Sequence, residues 1–126
     1  MRYIKLGAAA LNQTPLDWSG NQQHIETAIH AARAARVSIL CLPELCISGY
    51  GCEDMFLAAG TLQQSQRSLL ALVPQTQGMI VALGLPLSYQ NRVYDVVCLA
   101  VDGKIAGFVA KRFLAGDGIH YEPRWF

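Results

Sequence analysis

The spacing of apolar positions changes several times along the chain, and each change marks an element. Ile4 to Leu11 read as a first strand. Ser19-Gly20-Asn21-Gln22 then matches a capping box, with Ser19 as the cap and Gln22 reaching back. In the helix that follows, Ile25, Ala28, Ile29, Ala32 and Ala35 recur at helical spacing, while Glu26, Arg33 and Arg36 lie off that stripe. Val37 to Leu42 is a continuous apolar run rich in branched residues, the pattern of a strand covered on both faces.

Thr61 to Gln64 offers a second capping box. The helix predicted after it carries Leu62, Leu69, Leu70, Leu72 and Val73 and stops before Pro74. Met79 to Leu85 reads as a third strand, and Val93 to Val101 and Lys104 to Lys111 as two more. Asp102-Gly103 between the last two is a hairpin signal, because both residues tolerate positive φ. The predicted order is β-α-β-loop-α-β-β-β: an α/β first part with helices on one side of the strands, then antiparallel pairing. No repeat, low-complexity tract or linker divides residues 1–126.

Composition sharpens this picture. The chain has 126 residues, 52% of them hydrophobic and 15% charged, against a usual charged share of about 25%. Two explanations fit so lean a surface: a well-filled α/β core, or further burial in a larger domain or an oligomer, and the second is the expectation. The last residues, Trp125-Phe126, point the same way, because two aromatics left in water would form an apolar patch. The sequence is therefore expected to be the N-terminal portion of a longer protein.

A net charge of +1 without basic runs gives no basis for binding nucleic acid or an anionic membrane. No apolar stretch is long enough to span a bilayer, and Met1-Arg2-Tyr3-Ile4-Lys5 leads into a strand without a signal-peptide pattern. The expected location is cytoplasmic. The four cysteines, Cys41, Cys46, Cys52 and Cys98, form no Cys-x-x-Cys pair, so neither a zinc site nor a disulfide framework is expected. Cys41 and Cys98 lie in apolar strands and read as inert core thiols. His24 and His30, six apart on a helix, fall on different faces and read as surface residues.

Glu44 is the residue that changes the question. It follows Pro43 at the end of an apolar run, where a carboxylate is costly to desolvate unless paired or functional. Lys111 ends the last strand, and Glu122 follows the glycine-rich stretch Ala115-Gly116-Asp117-Gly118. Singly, Lys111 reads as a solvated strand end and Glu122 as a surface salt bridge with Arg124.

Together the three have a precedent. Leu42-Pro43-Glu44-Leu45, with Ser48-Gly49-Tyr50 behind it, resembles the first catalytic signature of the nitrilase, or carbon–nitrogen hydrolase, superfamily. That superfamily uses a glutamate, a lysine and a cysteine in this chain order. The resemblance matches Glu44 to the glutamate, Lys111 to the lysine and Glu122 to an additional glutamate near the active site. More narrowly, the chain is similar to the glutaminase domains of glutamine-dependent NAD synthetases. The residues that carry this are Ala10 through Gln13, Ser19 through Asn21, Glu44 through Tyr50, Glu53 through Phe56, Gly84 through Pro86, Asp102 through Ile105 and Lys111 through Phe126. The acidic pair Glu53-Asp54 after the Gly-Tyr turn favours this branch over a generic nitrilase.

The resemblance implies an α-β-β-α sandwich, of which this chain would supply one part. It also implies hydrolysis of the glutamine side-chain amide, with ammonia passed to an ATP-dependent domain that amidates deamido-NAD. ATP and Mg are implied only for that second domain, since no nucleotide-binding loop occurs here. The implied partners are glutamine, the remainder of the hydrolase domain, the synthetase domain and further copies in a homo-oligomer.

The residue types suit such chemistry. A free thiol with a pKa of about 8.5 is little ionised at neutral pH and needs a base. Glu44 would serve if burial raised its pKa towards neutrality. Lys111 would stabilise the oxyanion, and Glu122 would hold Lys111 or the substrate amide. Tyr50 reads either as a wall of the glutamine pocket or as a packed turn aromatic, and His120 as a possible substrate contact. One departure from the family is plain: no cysteine follows Lys111. Cys46 and Cys52 lie near Glu44, but nothing sets a lysine against them, so these residues alone are expected to be inactive. Two alternatives stay open: a free-standing amidase of the same superfamily, and a non-catalytic α/β interaction module.

Overall fold

Hydrophobic runs of two periods fold into one sheet with helices on one side. The computed structural model describes residues 3–126, so the expectation for Met1 and Arg2 lies outside the described residues. The five strands are β1 (Leu6–Ala8), β2 (Ile39–Cys41), β3 (Ile80–Tyr89), β4 (Arg92–Val101) and β5 (Lys104–Ala110), hydrogen-bonded in that order. β1, β2 and β3 run parallel, connected through the helices α1 (Trp18–Ala34) and α2 (Ala59–Leu72). β3, β4 and β5 form two antiparallel hairpins.

Strand alternation decides which face meets the helices. Val81 pairs with Ala100, Leu83 with Cys98 and Leu85 with Val96, and all six are buried. They share one core with Ile25, Ile29 and Ala32 of α1 and Leu69 and Leu72 of α2. On the opposite face, which no helix of the described residues covers, Leu99 and Val109 are exposed, while Gly84 and Asp95 are buried.

That one-sidedness corrects the expectation for β2. It is only three residues long, with Leu40 buried in the core and Cys41 exposed on the other face. Cys41 is therefore no core thiol, whereas Cys98 is buried and burial pushes its thiol up to about 11. β1 is likewise shorter than Ile4 to Leu11.

The helix starts differ from the predicted boxes. Asp17, not Ser19, caps α1: its Oδ1 accepts the Gly20 amide at 3.0 Å, and Ser19 Oγ donates to it from inside the helix. Gln22 instead bonds Glu26 one turn on. α2 begins at Ala59 without a side-chain cap, Thr61 is buried within it, and Leu70 points to solvent. Ser65 and Ser68 join Leu69 and Leu72 on its buried side.

Both hairpins turn on two residues with positive φ, 49° and 61° at Gln90-Asn91 and 49° and 76° at Asp102-Gly103. This geometry matches the right-handed twist of the strands it joins. The first hairpin extends β3 through Pro86 to Tyr89, well past the predicted end at Leu85.

Candidate active site

Three backbone features bring the charged residues together. First, the chain leaving β2 crosses β3 at Gly84. Leu42 N–H donates to the Ala82 carbonyl at 3.2 Å and Ile47 N–H to the Gly84 carbonyl at 3.1 Å. A Cβ on Gly84 would lie 2.5 Å from Leu45 N and 2.7 Å from Pro43 O, so only glycine admits this crossing. Within it Leu45 takes φ 50°, an uncommon conformation for a bulky residue, held by complete burial of its side chain against Phe56 and Cys52. Glu44 is carried on this turn.

Second, the β4–β5 ladder ends with Lys111 N–H donating to the Asp95 carbonyl at 2.9 Å, one step beyond the Val96–Ala110 pair. Asp95 and Lys111 are thus opposite each other on the face away from the helices. Third, a 3-10 turn at Glu122–Arg124 folds Glu122 under both.

Lys111 Nζ lies 2.7 Å from Glu44 Oε1 and 2.8 Å from Glu122 Oε2. Glu122 is 1% exposed and fully bonded: beyond Lys111, it accepts from Tyr50 Oη at 2.7 Å and from the Ala115 amide at 2.7 Å. Burial would raise its pKa, but the bonds from Lys111, Tyr50 and Ala115 outweigh that and lower it. Lys111 is the mirror case. Desolvation would depress its ammonium, yet the two glutamates hold it above the usual lysine range. Burial and the bond to Glu122 push Tyr50 up to about 12.

Glu44 differs from the sequence-based expectation, because its side chain is 41% exposed. The carboxyl that burial drives up is Asp95, 4% exposed and raised to about 8. Desolvation is the largest cause, followed by its hydrogen bond with Glu44 and repulsion from Glu44 and Glu122, partly offset by Lys111. One carboxylate oxygen from each of Glu44, Asp95 and Glu122 falls within 4.8 Å of the others. Lys111 is the cation that meets this charge. Clefts of about 580 Å³ and about 410 Å³ flank the cluster, with Asp95 and Lys111 in the walls of both.

The remaining predicted residues sort clearly. Tyr50 Oη donates to Glu122 and also lies 3.2 Å from His120 Nδ1. His24 and His30 are exposed, and His24 bonds Gln13. Arg124 does not pair with Glu122. It grips Asp54 with two bonds, at 2.6 and 2.8 Å, and Trp125 Nε1 adds a third at 3.0 Å. Trp125 and Phe126 are half-buried against Phe56, with ring centroids 5.8 and 5.0 Å from it.

Cys46 and Cys52 are poor nucleophiles. Both are buried, and burial pushes Cys46 up to about 12 and raises Cys52. Cys46 Sγ faces the Gly84 carbonyl and Cys52 Sγ the Ser48 carbonyl, so both thiols support the turn.

Residues 5–124 match the carbon-nitrogen hydrolase family, and the chain belongs to that family. Within it, the chain is homologous to glutamine-dependent NAD synthetases. It is 37% identical over 127 residues to the glutamine-dependent NAD(+) synthetase of Homo sapiens, covering 99% of this chain and 18% of that protein. The crystal structure of a glutamine-dependent NAD(+) synthetase from Cytophaga hutchinsonii superposes with a TM-score of 0.95 at 47% identity, over 98% of this chain and 21% of that one. The enzyme of the same name from Acinetobacter baumannii shares the fold, with a TM-score of 0.91 at 21% identity, over 100% of this chain and 24% of that one. The chain therefore spans about a fifth of the length of the relatives it matches. The five-stranded sheet with its helices matches the nitrilase-type domain of the Cytophaga structure.

Proposed function

We propose that these residues form the carboxylate–lysine half of a glutaminase site in a glutamine-dependent NAD synthetase. The observation that carries the reading is the Glu44–Lys111–Glu122 cluster at 2.7 and 2.8 Å, on a chain homologous to those synthetases. A thiolate attacks the side-chain amide carbon of glutamine, with Glu44 taking the thiol proton. Lys111, fixed from two sides, stabilises the tetrahedral oxyanion, an effect worth about 3–4 kcal/mol for a single well-placed donor. Glu44 returns its proton to the departing ammonia and then activates the water that cleaves the thioester. Glu122, held by Tyr50 and the Ala115 amide, keeps Lys111 in position.

The thiol in this reading lies outside these 126 residues. No cysteine follows Lys111, and Cys46 and Cys52 are protonated and turned into the turn. These residues alone are expected to release no ammonia from glutamine. In the complete protein, the ammonia would feed ATP-dependent amidation of deamido-NAD. ATP and Mg would serve that second step, held by residues other than these, in a cytoplasmic homo-oligomer.

The deciding experiment is Glu44→Ala in the complete natural protein. Glutamine-dependent NAD formation should disappear while synthesis from free ammonia persists. Unchanged use of glutamine would overturn the reading.

A further inference from the structure

Asp95 has no part in the reaction outlined above, yet it is buried within the cluster. It is 4% exposed, and its Oδ2 is buried without a hydrogen-bond partner. One of its carboxyl oxygens lies within 4.8 Å of one from Glu44 and one from Glu122. Ionised carboxylates only accept hydrogen bonds, so a bond between two of them requires a proton on one.

The surroundings decide which one holds it. Glu44 is open to solvent and bonded to the Lys111 ammonium. Asp95 has neither advantage, since the hydrogen bonds from Lys111 Nζ go to Glu44 and Glu122. The charged groups facing Asp95 are Glu44 on the turn after β2, Lys111 at the end of β5 and Glu122 on the 3-10 turn. Arg112 and Arg124 share the wall of the larger cleft with it. One lysine already meets two carboxyl groups, those of Glu44 and Glu122. A third carboxylate would add repulsion inside a buried site.

We propose that Asp95 carries a proton and donates it in a hydrogen bond to the Glu44 carboxylate, so that it is the residue that positions Glu44 against Lys111. Asp95 stands on β4, and the Lys111 N–H bond to its carbonyl, one step past the Val96–Ala110 pair, ties Lys111 to the same strand. The upward shift of Asp95 to about 8, caused first by burial and then by Glu44, agrees with it. Above that pH Asp95 would ionise, lose its donor and repel Glu44. The positioning role rests on the glutaminase reading; the protonation does not.

Two readouts separate them. In an infrared titration of protein labelled at aspartate carboxyls, the wild type should keep one protonated aspartic acid at about pH 6.5, far above the usual range near 3.9, and Asp95→Asn should lack it. Ionisation of every aspartate below about pH 5 would overturn the proposal. In the complete protein, Asp95→Asn retains a donor towards Glu44 but cannot titrate. It should keep most of kcat at neutral pH and lose the alkaline decline. Asp95→Ala should lower kcat by about tenfold to hundredfold with little change in KM. Equal losses in Asn and Ala would also overturn it, and the infrared result stands even where the alanine variant fails to fold. A protonated Asp95 in a wild-type protein that never hydrolyses glutamine would sink the glutaminase reading and leave the proton assignment intact.

Discussion

Lys111 and Glu122 meet at 2.8 Å with the Lys111 side chain 30% exposed and the Glu122 side chain 1% exposed. The pair is therefore asymmetric: Lys111 retains some water, whereas Glu122 depends on protein groups for all of its hydrogen bonds. Removing a partner of a buried charge costs far more than the pair itself contributes. Lys111→Ala should destabilise the fold by about 3 kcal/mol, in the lower part of the range for broken buried pairs because Lys111 is partly solvated. Lys111→Met combined with Glu122→Gln should restore part of that loss. Urea denaturation of the two variants measures it, and equal losses in both would contradict the asymmetry.

Asp95 and Glu122 give stability opposite slopes with pH. The Glu122 pKa is lowered below its ordinary 4.5, so its contribution is complete above that value and is lost as pH falls. Asp95 is raised from 3.8 to about 8, so the folded state holds a proton that the unfolded state has released. Its contribution is present below 3.8 and is lost as pH rises to about 8. Melting temperature should accordingly fall between about pH 4 and pH 8 in the wild type. Asp95→Asn should flatten that decline and leave the acid side unchanged. A flat wild-type profile across this range would mean that Asp95 is not the group described here.

Arg124 holds Asp54 through two parallel bonds, a planar match between guanidinium and carboxylate. Both partners are more than half exposed, so the pair contributes little to global stability. Its effect is local: it pins the 3-10 turn that carries Glu122 to the Glu53–Leu57 turn. Asp54→Asn should speed hydrogen exchange at residues 120–126 while leaving the melting temperature nearly unchanged. Protection that survives the substitution would assign the anchoring to Phe56 and its contacts with Trp125 and Phe126 instead.

How much of this could be read from the sequence follows from the range of each interaction. Glu44 and Lys111 were legible because each interrupts or ends an apolar run, a purely local signal. Glu122 meets Lys111, one of the two partners expected for it; only the reading of Glu122 taken singly, a salt bridge with nearby Arg124, fails, because Arg124 reaches Asp54, 70 residues away. The capping boxes failed similarly, since Asp17 stands ahead of Ser19 with a stronger acceptor for the Gly20 amide. Asp95 lies in Val93-Tyr94-Asp95-Val96-Val97, a charge inside an apolar strand, and the reasoning applied to Glu44 would have found it. What no local pattern contains is the register that sets Asp95 opposite Lys111, or the uncovered face that leaves Glu44 and Cys41 in solvent.

Gly84 controls whether the cluster can exist at all. A methyl group there would meet Leu45 N at 2.5 Å and Pro43 O at 2.7 Å, and both are backbone atoms that cannot rotate aside. Relief requires the Pro43–Leu45 turn to lift from β3, which strains the Ile47–Gly84 hydrogen bond and the burial of Leu45. Overpacking of this kind costs about 1–3 kcal/mol. A lift of even a few tenths of an ångström also moves Glu44 away from Lys111, because Glu44 rides on this turn and Lys111 does not. Gly84→Ala should therefore lower stability by that amount and lengthen the Glu44–Lys111 contact beyond 2.7 Å in a crystal structure. Gly107→Ala is the control, since its Cβ would meet nothing within 4 Å. If both alanines behaved alike, the close crossing at Gly84 would not be what positions Glu44.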